Sequence, residues 1–196
     1  MDAKWEKKLG ISTAPAAFEK DDKNHSRYEP TSYAVLDKLA RSGHITRDDV
    51  VVDYGCGKGR VGFYLNYIVG CRSIGVEYDE NLCAAARENL SSYAGRKNEV
   101  EFVCENAENW PVPPEANGFY FFNPFSVKVL RSVLGRIYES YYENPRRMRL
   151  FFYYALDEYR THLLGEQLLQ YEGEIDCRDL FHNEDEKEKI LLFSIG

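Results

Sequence analysis

Residues 49–60, DVVVDYGCGKGR, constrain this chain more than any other stretch. The apolar run Val50–Val52 reads as a strand that ends in an acid, Asp53, and Gly55, Gly57 and Gly59 follow at every second position. Glycines lack a Cβ, so the chain turns tightly there and a ligand can approach the backbone closely. The helix that follows offers free N–H groups at its N-terminus. A dinucleotide-binding turn reads GxGxxG and seats a pyrophosphate on those groups. Here the third glycine comes one residue early, since position 60 is Arg60, and Asp53 would repel a pyrophosphate. A phosphate-cradling loop needs Gly-Lys-Ser/Thr, which does not occur. The acid suits a ligand that carries an ammonium group.

Around this turn, short apolar runs alternate with helical periodicity. Strands are expected at Val50–Tyr54, Ser73–Glu77, Val100–Cys104, Phe119–Phe122 and Leu150–Tyr154, and helices through Val61–Ile68, Asp79–Tyr93, Val127–Tyr141 and Asp157–Leu169. Tyr171–Cys177 and Ile190–Ile195 read as a closing hairpin, with the charged HNEDEKEK as its loop. This alternation predicts an α/β fold of three layers, α/β/α: a doubly wound, mostly parallel sheet of seven strands, the last antiparallel. Residues 1–30 read as an arm with little regular structure and one aromatic anchor, Trp5. Residues 31–196 read as the domain, opened by a helix from Thr31 that ends near Gly43.

A second acid, Glu77, ends the second strand in SIGVEYD, twenty residues past Gly57. A carboxylate there can accept both hydroxyls of a ribose lying across the strand ends. DYGCGKG followed by GVEYD resembles motif I and its companion acid in class I S-adenosylmethionine-dependent methyltransferases, over about residues 31–196. The resemblance implies that Asp53 and the loop Gly55, Cys56, Gly57 and Gly59 hold the methionine end of S-adenosylmethionine, and that Glu77 holds its ribose. Many such enzymes carry an aspartate near the adenine after the third strand. This chain reads CENAEN, which places Asn106 there with Ala107 beside it; an asparagine oxygen still accepts from an amino group. Upstream, RYEPTSY is similar to a Y-x-P-T in small bacterial methyltransferases of unassigned substrate. Tyr28 or Thr31 would then close over the cofactor, the alternative being that Pro30 and Thr31 only start a helix.

The fourth strand ends FYFFNPFS. Proline cannot continue a central strand, so the chain leaves the sheet at Asn123, in the crevice where open α/β sheets bind ligands. Asn-Pro-Phe resembles the (Asp/Asn)-Pro-Pro-(Tyr/Phe) motif of methyltransferases that act on amino groups. That implies a methyl group transferred to nitrogen, with Asn123 positioning the nitrogen and Phe125 offering a stacking face. One proline is missing, however. The other reading makes Asn123-Pro124 a turn and Ser126 the cap of the next helix, and leaves transfer to oxygen or carbon, or a module that binds the cofactor without catalysis.

Composition narrows the surroundings. Of 196 residues, 44% are apolar and 29% charged, and no run approaches the roughly 20 apolar residues of a membrane span. The start MDAKWEKKLG lacks a secretory apolar stretch, and the five cysteines show no CxxC spacing, so a cytoplasmic protein without disulfides is expected. His25, His44, His162 and His182 share no metal spacing, and no metal is expected. A net charge of −7 disfavours duplex nucleic acid and leaves protein, RNA or a small molecule as acceptor. Lys128, Arg131, Arg136, Arg146, Arg147 and Arg149 form the one basic concentration, read as a solvated face or a contact for an anionic acceptor.

Overall fold

The computed structural model describes residues 2–15, 28–182 and 185–196. Its elements are α1 (Asp2–Leu9), α2 (Tyr33–Arg41), β1 (Val50–Tyr54), α3 (Arg60–Ile68), β2 (Arg72–Glu77), α4 (Glu80–Ser92), β3 (Val100–Cys104), β4 (Gly118–Phe121), α5 (Val127–Glu143), β5 (Met148–Tyr153), α6 (Asp157–Gly165), β6 (Gln170–Asp176) and β7 (Lys189–Ile195). One seven-stranded sheet runs in the order β3-β2-β1-β4-β5-β7-β6. Pairings from β3 through β5 are parallel, and β7 is antiparallel to both neighbours, as the sequence predicts. Strand order reverses between β1 and β4. The cavity between such strands opens at their C-terminal ends.

Side chains alternate across a strand, so each strand feeds two cores. Val52, Tyr54, Phe119, Phe121, Leu150 and Phe152 meet α5 and α6, through Leu130, Leu134, Ile137 and Leu163. Val51, Tyr120, Phe151 and Tyr153 meet Leu36, Leu39, Phe63 and Tyr64 of α2 and α3. Apolar residues on both faces explain why β1, β4 and β5 read as unbroken apolar runs. Helix starts are set locally. Asp79 caps α4, accepting from Asn81 N (2.8 Å) and Leu82 N (3.0 Å), and Ser32 rather than Thr31 caps α2, accepting from Ala34 N (3.3 Å). Ser126 stands at the N-cap of α5, yet its buried hydroxyl makes no capping bond. Past Gly165 the chain turns extended at Glu166, so α6 stops short of the expected Leu169.

The expectation of an irregular arm needs correction. Asp2–Leu9 is helical, and Trp5 packs edge-on against Tyr64 with ring centroids 4.9 Å apart. So short a helix is not stable by propensity, and tertiary contacts hold it. The chief contact is Arg60, 5% exposed at the start of α3. Its guanidinium donates to Thr13 Oγ1 (2.6 Å), Asp2 Oδ2 (3.0 Å), Thr31 O (3.2 Å) and Glu6 Oε1 (3.3 Å), and lies 4.5 Å over the Tyr33 ring. Residues on both sides of 16–27 are thereby tied to the glycine loop. Position 60, which distinguishes the loop from a dinucleotide turn, is the anchor of the N-terminal segment. His25 lies outside the described residues.

Candidate active site

A cavity of about 1000 Å³ opens at the C-terminal ends of β1, β2, β4 and β5. That is the upper end of the range for ligand sites, roughly 300–1,000 Å³.

Asp53, the last acid of β1, is 3% exposed and lines the cavity; its Oδ2 has no hydrogen-bond partner. Desolvation by burial, with Glu77 as a second and smaller cause, holds its pKa well above the ordinary carboxylate value. A buried carboxylate oxygen without a partner is costly unless a ligand satisfies it. An ammonium group fits that need, as the methionine end of S-adenosylmethionine would supply.

Glu77 is 6% exposed and ends β2 beside Asp53. Its Oε2 accepts from Gly57 N (2.9 Å), and its Oε1 accepts from Tyr78 N and Asp79 N (3.0 Å each). Burial raises its pKa, while the bonds from Asp79, Gly57 and Tyr78 pull it down. A carboxylate has about four acceptor sites, so three backbone donors leave room for one more bond rather than the two expected. Glu77 therefore shapes the glycine loop as well as facing the cavity.

The loop glycines divide their tasks. Gly55 (φ +70°) and Cys56 line the cavity, and a Cβ on Gly55 would lie 2.4 Å from the Pro124 Cβ. Gly57 (φ +54°) is covered instead, since a Cβ there would sit 2.1 Å from the Tyr28 ring. Gly59 lies against Phe102 and Phe63, where it permits close packing of α3 on the sheet. Tyr28 donates to Thr13 O (2.7 Å) and lies under the Lys58 ammonium at 5.0 Å. Thr31 is buried, its hydroxyl 3.0 Å from that of Tyr120. Both line the cavity.

Beyond β3 the expectation for Asn106 is not met. Its Oδ1 accepts from Glu108 N (2.9 Å) and closes a turn, so Ala107 and Glu105 line the wall in its place.

Asn123 and Tyr154, at the ends of β4 and β5, both take left-handed backbone conformations (φ +42° and +51°). Non-glycine residues held this way store strain and cluster at functional sites. Asn123 Nδ2 donates to Tyr154 O (2.6 Å); its Oδ1 is 3.5 Å from Leu156 N, longer than a well-formed hydrogen bond. Phe125 lines the cavity, but its ring is buried edge-on to Phe121, centroids 6.3 Å apart. It backs the wall and does not present the open stacking face the sequence implied.

The basic concentration is largely spent on the fold. Arg146 fastens the end of α5 to Ala116 O (2.8 Å) and Ser140 Oγ (2.9 Å), and Arg149 donates to His44 O (2.9 Å). Arg136 reaches Glu108 O (3.0 Å), and Arg147 pairs with Glu172 (3.1 Å). Lys128 and Arg131 are exposed on α5. Among the described residues no cluster of three or more His, Cys, Asp or Glu could hold a metal, and no helix is long and apolar enough to cross a membrane.

Sequence reasoning missed the far wall. Tyr120, Tyr153 and Glu188 line the cavity, and the Tyr153 hydroxyl donates to Glu188 Oε2 (2.6 Å).

Residues 51–140 match the family model described as methyltransferase domain. No curated protein matches the chain. Solved structures do, at low identity. An RNA methyltransferase from Salinibacter ruber, in complex with S-adenosyl-L-homocysteine, is 21% identical over 85% of this chain and 94% of its own, with a TM-score of 0.57. A TehB-like SAM-dependent methyltransferase from Corynebacterium glutamicum is 17% identical over 82% of this chain and 88% of its own, TM-score 0.57. The mitomycin 7-O-methyltransferase MmcR is 14% identical over 82% of this chain and 53% of its own, TM-score 0.59. These likenesses show the fold, and their different acceptors show how little it fixes the substrate. The matched segment spans β1 through α5 and carries the glycine loop, Glu77 and the Asn123 turn. Residues 51–140 thus match a methyltransferase domain, and the sheet around them has the fold of S-adenosylmethionine-dependent methyltransferases.

Proposed function

We propose that this chain transfers a methyl group from S-adenosylmethionine to a nitrogen atom of its acceptor. The observation that carries the reading is the turn at the end of β4. The left-handed Asn123, braced on Tyr154 O, stands in the cavity wall and is linked to the cofactor loop through Pro124 and Gly55. In this reading Asp53 takes the cofactor's ammonium group, Gly55 and Cys56 line its methionine end, and Glu77 accepts one ribose hydroxyl. Ala107 and Glu105 flank the adenine, while Tyr28 and Thr31 cover the loop.

Asn123 Oδ1, with two lone pairs, accepts from the acceptor's N–H and orients the nitrogen. Phe125 holds that turn from behind. The cofactor supplies a methyl group already activated on a sulfonium, so the protein's task is positioning and exclusion of water. Tyr120 and Phe122 line the cavity, and aromatic faces favour a cation.

The bond from Asn123 to Tyr154 also favours a second reading, in which the turn only shapes the cavity and transfer goes to oxygen or carbon. S-adenosyl-[methyl-¹³C]methionine, added to separated protein, RNA and small-molecule fractions, decides between them. Carbon–proton correlation spectra distinguish N-, O- and C-methyl products. An N-methyl product is expected, and an O- or C-methyl product would overturn the proposal. The Salinibacter protein is named for RNA. Here the ties of Arg136, Arg146, Arg147 and Arg149 within the fold support an acceptor other than duplex nucleic acid.

A further inference from the structure

The end of the cavity away from β2 has a chemistry of its own. Register places Asp53 beside Tyr120, and β5 next to β4 and β7. Alternation puts Asp53, Tyr120, Tyr153 and, just before β7, Glu188 on one face of the sheet. Because β7 is antiparallel, its beginning lies at the same mouth as the ends of the parallel strands. Three strand spacings, about 14 Å, separate the column of Asp53 from that of Glu188. Two buried carboxylates therefore close the two ends of one row, with room between them for donor and acceptor side by side.

Glu188 is 7% exposed and lines the cavity. Among the described residues its carboxylate accepts one hydrogen bond, from the Tyr153 hydroxyl to Oε2, and pairs with no cation. Around it stand aromatic walls. The Phe122 and Tyr153 rings lie 4.7 Å apart, and Tyr154 is fixed by its hydroxyl on Asp185 (2.6 Å). Among the described residues, the cations that line the cavity are Lys58 of the glycine loop and Arg60 at the start of α3. Arg60 is committed to Glu6 and Asp2, and Lys58 donates to Ala14 O (2.7 Å). An anionic acceptor would meet the Glu188 carboxylate with no countercharge from the described residues. An ammonium group would gain a carboxylate and aromatic faces together, the combination that recognises organic cations.

We propose that the acceptor is an aliphatic amine, received as its ammonium by Glu188 beside the packed rings of Tyr153, Phe122 and Tyr154. The inference rests on the nitrogen-directed reading and narrows it. The ammonium loses one proton to solvent. The freed lone pair then forms the N–CH₃ bond as the S–CH₃ bond breaks with its electrons left on sulfur, and the N-methylated product carries the positive charge. Glu188 determines acceptor specificity and is not a base in this scheme.

Two amines test it, cadaverine as a free amine and Nα-acetyl-lysine methylamide as a stand-in for a protein lysine, against AMP and catechol. Calorimetry on the S-adenosylhomocysteine complex comes first, then methyl transfer from labelled S-adenosylmethionine. At least one amine should bind and be methylated on nitrogen, and which of them does so distinguishes the two sources. Glu188→Gln keeps an acceptor for the Tyr153 hydroxyl. It should raise the amine's KM about tenfold or more, with the dissociation constant of S-adenosylhomocysteine within about twofold of wild type. Failure of both amines to bind at millimolar concentration overturns the proposal. Methylation of AMP on a base nitrogen in their place overturns the amine class but leaves the nitrogen reading standing. Methylation of catechol oxygen removes the nitrogen reading itself. An unchanged KM for a methylated amine in Glu188→Gln would show that Glu188 does not receive the acceptor.

Discussion

Replacing Asp53 by asparagine separates the two things a buried carboxylate does. In the ligand-free fold it is a liability, since Oδ2 is without a partner and burial opposes its charge. In the proposed complex it would meet the cofactor's ammonium. A hydrogen bond to a charged group contributes about 1.5–3 kcal/mol, which at about 1.4 kcal/mol per decade is roughly 10- to 150-fold in affinity. Asp53→Asn should lose about that much S-adenosylhomocysteine binding while the ligand-free protein melts no lower than wild type.

The pH dependence follows from the same shift. A carboxyl whose pKa is raised by folding stabilises the fold below its ordinary value, and that stability is lost as pH rises through the raised value. Ammonium binding favours the charged form. Between the ordinary and the raised value, binding should release a proton, and affinity should climb with pH. Calorimetry in buffers of different ionisation enthalpy reads that proton directly, and it should vanish in Asp53→Asn. Wild-type affinity in the variant, or no proton release at any pH in that window, would refute the pairing of Asp53 with the ammonium.

Glu77→Ala should both weaken S-adenosylhomocysteine at least tenfold and lower the melting temperature, because Gly57 N, Tyr78 N and Asp79 N lose their acceptor. A purely surface acid would move neither. Asn123→Gly removes the amide without straining the positive φ, and should cut turnover about 100- to 1,000-fold with cofactor affinity retained. A steady-state assay on the identified acceptor, beside calorimetry, checks both halves. Arg60→Ala leaves Glu6 and Thr13 without their buried partner and should cost about 3–5 kcal/mol by denaturant unfolding, with Trp5 fluorescence reporting release of α1.

What the sequence shows and what it hides follow one physical division. Strands β1, β4 and β5 are buried on both faces, so the linear pattern displays them as apolar runs, and the glycine loop needs its residues in fixed order, so it too is legible. Asp53, Gly55 and Glu77 are placed where the reading puts them. What the sequence hides is set by long-range pairing. Glu188 sits in HNEDEKEK, which has the composition of a solvated loop, and its burial exists only once β7 pairs with β5. Arg60 looks like a surface charge until α1 and Thr13 are brought against it. Asn106 and Phe125 fail differently. Their positions in the chain are as expected, but a local turn captures one side chain and the core beside Phe121 takes the other.

The central claim is that the cavity over β1 and β2 is an S-adenosylmethionine site, with Asp53 set for an ammonium and not for a pyrophosphate. Calorimetric titration of the wild-type protein with S-adenosylhomocysteine and, separately, with NAD tests it most directly. The account predicts saturable one-to-one binding of S-adenosylhomocysteine and no measurable heat from NAD at the same concentration; tight NAD binding with no signal from S-adenosylhomocysteine would contradict it.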